Sequence, residues 1–154
     1  MEHRAMPELT CQTPIGPLTI REEGGQIVAL RWGGDGQEVT PLLDEACRQI
    51  GDYFAGGRQG FDLPIAFRDG LQGEVMRAMC AIPFGETRTY GDLAKEMGVP
   101  AQAIGQACGA NPVPVIVPCH RILGASGLGG FSAPGGVETK VALLKHEGAA
   151  SLLI

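Results

Sequence analysis

The sequence predicts an α/β N-terminal subdomain, a small antiparallel sheet plus one helix, over residues 1–68. A mostly α domain with a helix-turn-helix follows over residues 69–154. Three observations carry this prediction. Short runs rich in Thr, Ile, Val and Leu alternate with turn formers up to about residue 40. A helical period of apolar residues then begins behind Pro41. From Asp69 onward amphipathic helical stretches and loops replace the strand-like pattern.

Leu9–Thr13, Leu18–Glu22 and Ile27–Trp32 read as strands, parted by Pro14–Pro17 and by Gly24-Gly25. Pro41, after Thr40, suits the first position of a helix, whose apolar face is expected at Leu42, Leu43, Cys47, Ile50 and Phe54. The pair Gly56-Gly57 ends it. Phe61–Phe67 is a further strand candidate, interrupted by Pro64. Leu71, Val75, Ala78, Met79 and Ile82 mark an amphipathic helix stopped by Pro83. Thr89 with Asp92 three residues on predicts a capped start for a helix over Tyr90–Met97, ended at Gly98. A second short helix, Ala101–Cys108, follows a three-residue turn, which makes a helix-turn-helix candidate. Its Ala101, Ala103, Gly105, Ala107 and Gly109 leave a nearly bare surface, suited to close packing or to a narrow groove. A final helix is expected over Val137–His146.

The chain of 154 residues, 44% hydrophobic and 19% charged, has the composition of a soluble globular protein. No apolar run reaches membrane-spanning length and the N-terminus lacks a signal-like core, so a cytoplasmic address and no membrane partner are expected. Five cysteines in irregular spacing, without a CxxC pair, argue against a disulfide framework and a structural zinc site. Cys11, Cys47, Cys80 and Cys108 are accordingly expected to be inert small hydrophobes, and neither metal nor cofactor is expected. The net charge of −5 sits unevenly: residues 1–100 carry nine Lys/Arg against fifteen Asp/Glu, residues 101–154 three against two. Nucleic acid bound by the last third should involve modest phosphate neutralisation.

The chemistry concentrates in Asn111–Arg121, Asn-Pro-Val-Pro-Val-Ile-Val-Pro-Cys-His-Arg. Three prolines are expected to hold it extended, and its valines and isoleucine to bury it. It delivers Cys119 beside His120 and Arg121, an electropositive setting that favours the thiolate. Adjacent residues do not face each other, so His120 is expected to reach the sulfur through a water. A histidine acting as base also needs a carboxylate to orient it. Glu138 and Glu147 are the candidates in the last third. Glu138 is explained by the helix dipole, whereas Glu147 at a helix C-terminus opposes it and calls for another reason.

Several strings in this chain are similar to those of the O6-alkylguanine-DNA alkyltransferases. They are Pro83-Phe84-Gly85-Glu86, Thr89-Tyr90, Ala103-Ile104-Gly105 through Asn111-Pro112, Pro118-Cys119-His120-Arg121, Gly130-Phe131-Ser132, His146-Glu147-Gly148 and, near the start, Thr13 to Leu18. The resemblance implies a DNA-repair protein that moves an alkyl group from O6-alkylguanine irreversibly onto its own Cys119, acting as a single-turnover methyltransferase. It implies that His120, a water and Glu147 relay the proton, and that Tyr90 helps neutralise the departing base. Asn111 would brace the active-site turn. Ser132 and backbone near Val117 would line the base pocket, the Phe131 ring would stack on a base, and Arg121 would be among the DNA or base contacts. The helix carrying Gln102, Ala103 and Gly105 would enter the minor groove of duplex DNA around a flipped base. The implied partner is duplex DNA containing O6-alkylguanine, bound by a monomer.

Two positions depart from the family pattern. Gln102 stands where an arginine usually fills the gap left by the flipped base, which implies weaker flipping. Phe131 replaces a common tyrosine, and the loop Ser132–Gly136 is longer. The alternative reading is a non-catalytic sensor resembling the alkyltransferase-like proteins, which lack the acceptor cysteine present here. A cysteine hydrolase or redox thiol protein and a transcription regulator are weaker rivals: no oxyanion motif or CxxC accompanies Cys119, and the bare second helix does not suit major-groove reading.

Overall fold

Three strands, β1 (Glu8–Thr13), β2 (Gly16–Glu23) and β3 (Gln26–Trp32), form an antiparallel meander in the order β1-β2-β3. The computed structural model describes residues 6–124, 127–129, 131, 133 and 135–149. Glu23 pairs with Gln26, so Gly24 and Gly25 alone make the β2–β3 turn. Their φ values of 60° and 79° are the pair a two-residue I′ turn demands, which a side chain would resist. The strands match the sequence prediction to within two residues at each end.

The helix α1 (Pro41–Phe54) is capped by Thr40, whose hydroxyl accepts from Leu43 N at 3.0 Å. It packs on β1 and β2, and its Leu43, Ala46, Ile50 and Tyr53 are buried, as are Leu18, Ile20, Ile27 and Leu30 of the sheet. The buried stripe is thus rotated from the expected one, since Leu42 and Phe54 are only half-buried. Gln49 joins the buried face because its amide is fully used, accepting from Asp62 N and donating to Asp62 O.

The expectation for Cys11 and Cys47 is overturned. They form a disulfide between β1 and α1, with Cα atoms 5.6 Å apart. Packing the helix on the first strand brings two distant positions within bonding range, which irregular spacing does not reveal. Cys80 departs too, being exposed rather than buried. The proposed strand at Phe61–Phe67 shrinks to Pro64–Ala66 beside β3, with Ile27 N bonded to Pro64 O and Ala66 N to Ile27 O. Pro64 has no N–H to extend the ladder.

These elements belong to one unit, Met1–Ala66; the rest of the chain forms a second, Phe67–Ile154. In the second, α2 (Gly70–Cys80) is followed by β4 (Arg88–Thr89), α3 (Tyr90–Met97) and α4 (Ala101–Gly109). The predicted cap of α3 is present in both directions: Thr89 Oγ1 accepts from Asp92 N, and Asp92 Oδ2 from Thr89 N, each at 3.0 Å. Asp serves where Glu or Gln is usual. Residues 98–100 join α3 to α4, and α4 packs on both α2 and α3. A two-residue strand, β5 (Ile122–Leu123), pairs in parallel with β4. The last helix, α5 (Val137–His146), has the predicted bounds. The core holds Val75, Met76, Met79, Leu93, Ile104, Val117, Ile122, Leu143 and Leu144.

Candidate active site

The segment leading to Cys119 is buried, as its composition predicts, but not extended. Val117 N bonds to Val113 O at 2.8 Å and Ile116 N to Pro114 O at 2.9 Å. The second bond closes a three-residue turn on Val115, whose φ of 72° is the left-handed region that β-branched residues avoid. Prolines restrict φ without preventing ψ from folding the chain back, and here the folding is enforced by a side chain. Asn111 donates through Nδ2 to Val117 O at 2.9 Å and accepts at Oδ1 from Val113 N at 3.1 Å. It ties both ends of the turn.

Beyond Pro118 the chain makes a single 3₁₀ turn, Cys119–Arg121, which puts three consecutive side chains in three directions. Cys119 faces a cavity of about 280 Å³, close to the lower end of small-molecule sites at about 300 Å³. Tyr90 and Phe131, expected against the base, line the cavity with it, as do Gly105, expected in the groove-entering helix, and Asn111, expected to brace the turn. Cys108 and Pro114 line it too, though sequence reasoning gave neither a place. Burial pushes the Cys119 thiol up, opposed by the hydrogen-bonding amide of Asn111 and the charge of Lys140. The pull toward the thiolate thus comes from Asn111 and Lys140 rather than from the expected His120 and Arg121, and desolvation outweighs it. Cys108 is the inert thiol predicted, buried against Met79 and pushed up to about 12 mainly by burial.

His120 is fully buried and its Nε2 lies 2.8 Å from Glu147 Oε2. Burial makes it harder to protonate; the hydrogen bond and charge of Glu147 oppose this, while Arg121 and Lys140 reinforce it. Glu147 follows the last turn of α5, where its opposition to the helix dipole is compensated by these partners. Tyr90 opens α3 and is half-buried, and burial raises its hydroxyl above the usual phenol range. The loop after β5 runs against its ring: a Cβ at Gly129, where φ is 73°, would sit 3.0 Å from both Tyr90 Cε2 and its hydroxyl.

Two expected contacts are not where the sequence reading put them. Arg121 is buried, donating through Nε and Nη2 to the two oxygens of Glu147 and through Nη1 to Ile82 O. A guanidinium so engaged is turned away from any phosphate. Val117 does not line the cavity, and its carbonyl already accepts from Asn111 Nδ2 and Cys119 N. Gln102 is exposed in the first turn of α4 and Ala103 partly so, both open to a partner. Ser132 lies outside the described residues.

Lys140 escaped the sequence reading. It is fully buried and donates from Nζ to Ile122 O and Leu128 O, each at 2.6 Å, fastening the loop after β5 to α5. A signal existed: Lys140, Leu143, Leu144 and Glu147 fall at i, i+3, i+4 and i+7, one helical face on which two charges stand beside two leucines. Among the described residues no group of three or more His, Cys, Asp or Glu is placed to hold a metal. None of the described helices is long and apolar enough to cross a membrane.

The family model described as "6-O-methylguanine DNA methyltransferase, ribonuclease-like domain" matches residues 8–67, and its "DNA binding domain" counterpart matches residues 70–149. The methylated-DNA–protein-cysteine methyltransferase of Mycobacterium tuberculosis is 40% identical over 154 aligned residues, covering 90% of each chain. The constitutive enzyme of that name from Bacillus subtilis is 39% identical, covering 90% of this chain and 93% of its own. The crystal structure of Mycobacterium tuberculosis OGT in complex with DNA superposes with a TM-score of 0.81 at 39% identity, covering 92% of each chain.

Proposed function

Because the chain belongs to the 6-O-methylguanine DNA methyltransferase family, we propose that it repairs DNA by moving the alkyl group of an O6-alkylated guanine onto its own Cys119. The observation that carries the reading is Cys119 on the wall of a cavity of about 280 Å³, followed in the chain by His120, which is buried and bonded to Glu147.

Cys119 Sγ attacks the alkyl carbon, the bond from that carbon to guanine O6 breaks, and a thioether forms. The thiol proton passes to His120 through a water, and Glu147 stabilises the imidazolium. The departing guanine takes up a proton, with the Tyr90 hydroxyl at the cavity wall as its donor. A base entering the cleft also strips remaining water from Cys119 and places the carbon in line with sulfur, which is where the barrier falls. Nothing among these residues cleaves a thioether, so each chain reacts once.

The target base must leave the stack to reach Cys119. The small residues of α4 suit a minor groove, with Ala103 close to the backbone and Gln102 at the gap left by the base. Gly105 and Phe131 give the base its walls, and Asn111 keeps the turn beneath it in shape. The chain works as a monomer on duplex DNA, in the cytoplasm. The lesion-sensor reading has no support in a chain that retains Cys119. A duplex bearing one O6-methylguanine, incubated with excess protein, should be restored to guanine by the wild type and left unrepaired by Cys119→Ala. Repair by Cys119→Ala would refute the assignment.

A further inference from the structure

Among the described residues of the second unit, the buried charged and titratable polar side chains form one cluster: His120, Arg121, Lys140 and Glu147. The chemistry above uses two of them for the proton and leaves Arg121 without a part. Its Nε and Nη2 grip Glu147 Oε1 and Oε2, both at 2.8 Å, while Nη1 is anchored on Ile82 O at 2.6 Å. A guanidinium has only donors, so the carboxylate beneath it is held ionised, and an ionised carboxylate only accepts. His120 Nε2, 2.8 Å from Glu147 Oε2, must then carry the hydrogen. The neutral ring is left with its lone pair on Nδ1, a buried atom with no hydrogen-bond partner among the described residues.

We propose that Arg121 is a positioning residue of the transfer reaction: its two-point grip on Glu147 fixes His120 as the Nε2–H tautomer and presents Nδ1 to receive the Cys119 proton. The inference rests on the alkyl-transfer reading. In the reaction the Cys119 proton arrives at Nδ1, sulfur bonds to the alkyl carbon, the carbon–O6 electrons leave with guanine, and the imidazolium proton balances the one guanine takes up. The charges around His120 are Glu147 at the end of α5, Lys140 two turns earlier on that helix, Arg121 beside it, and Cys119 once ionised. Removing the Arg121 charge makes His120 easier to protonate and lets Glu147 hold a proton more readily. Both changes move the acid limb of the rate profile to higher pH.

The experiment is single-turnover methyl transfer from an O6-methylguanine duplex against pH. It compares wild type, Arg121→Lys, Arg121→Met, Glu147→Gln and the double Arg121→Met/Glu147→Gln, each checked by circular dichroism at the assay temperature. Arg121→Met should be at least about tenfold slower at neutral pH, with its acid limb raised by roughly one pH unit. Arg121→Lys, which keeps the charge but has a single-point grip, should recover part of the rate. The double variant should be no slower than Glu147→Gln alone, because Arg121 acts through Glu147. An unmoved acid limb in Arg121→Met, or losses that multiply in the double variant, would overturn the proposal. Should Arg121→Met fail to fold, Arg121→Lys decides: its rate loss must vanish in the Glu147→Gln background, and a persistent loss sinks the idea. A wild type that transfers no methyl group refutes the alkyl-transfer reading instead, so the two failures are distinct.

Discussion

Reducing the Cys11–Cys47 bridge should weaken the first unit substantially while sparing the chemistry of Cys119. The two cysteines are 36 residues apart in sequence, so the bond closes a loop that takes in nearly all of the sheet and half of α1. Loop-closure entropy for that length gives about 13 cal/mol/K, or about 4 kcal/mol at 25 °C, removed from the unfolded chain. For a unit of this size each kcal/mol is worth roughly 4–8 °C, so the melting transition of the first unit should fall by about 15 °C or more. The assay is thermal unfolding with and without dithiothreitol, beside a Cys11→Ala/Cys47→Ala double variant. Reductant should bring the wild type down to the variant and leave the variant unchanged. Methyl transfer at 25 °C should persist in both, because Cys119 is not part of the bridge. A wild-type transition indifferent to reductant would refute the loop-entropy reasoning.

Lys140→Met should slow methyl transfer by about tenfold and cost about 2 kcal/mol, the net of two lost charge-assisted bonds against relief of desolvation; single-turnover rates and urea midpoints check both. Gln102→Arg should raise the repair rate on duplex DNA several-fold and leave the rate on single strands unchanged, since only the duplex requires the gap to be filled. Stability should fall with acidification below about pH 6.5, the ordinary histidine value. The sign follows from His120, whose pKa is lowered by burial, so the unfolded chain binds more protons there than the folded one. Urea midpoints across pH 5 to 8 should show that slope, and His120→Gln should flatten it.

The strands, the helix α5 and the cap of α3 were legible because each rests on local chemistry: paired glycines, a helical period, and Thr89 three residues before Asp92. Cys119, His120 and Glu147 were legible because a Cys-His pair at the end of a proline-rich apolar run has few uses, and Glu147 stood at the wrong end of a dipole. The disulfide depends on which face of α1 meets β1, a tertiary fact that rotates the expected stripe by about one residue. The family resemblance counts Arg121 among the DNA or base contacts. The 3₁₀ turn sends it inward instead, to the two oxygens of Glu147. The proline count suggested extension, whereas Asn111 and the γ-turn at Val115 decide the path. Lys140 is not legible from its residue type, since a helical lysine is ordinarily solvated; only its shared face with Leu143 and Leu144 marks it as buried.

The central claim is that Cys119 is itself the alkyl acceptor, once per chain. Intact-protein mass with peptide mapping, after incubation with excess O6-methylguanine duplex, tests it directly. The account predicts one added methyl group per chain, located on Cys119, with no second guanine restored afterwards. Repair without a mass gain, or more than one guanine restored per chain, would contradict it.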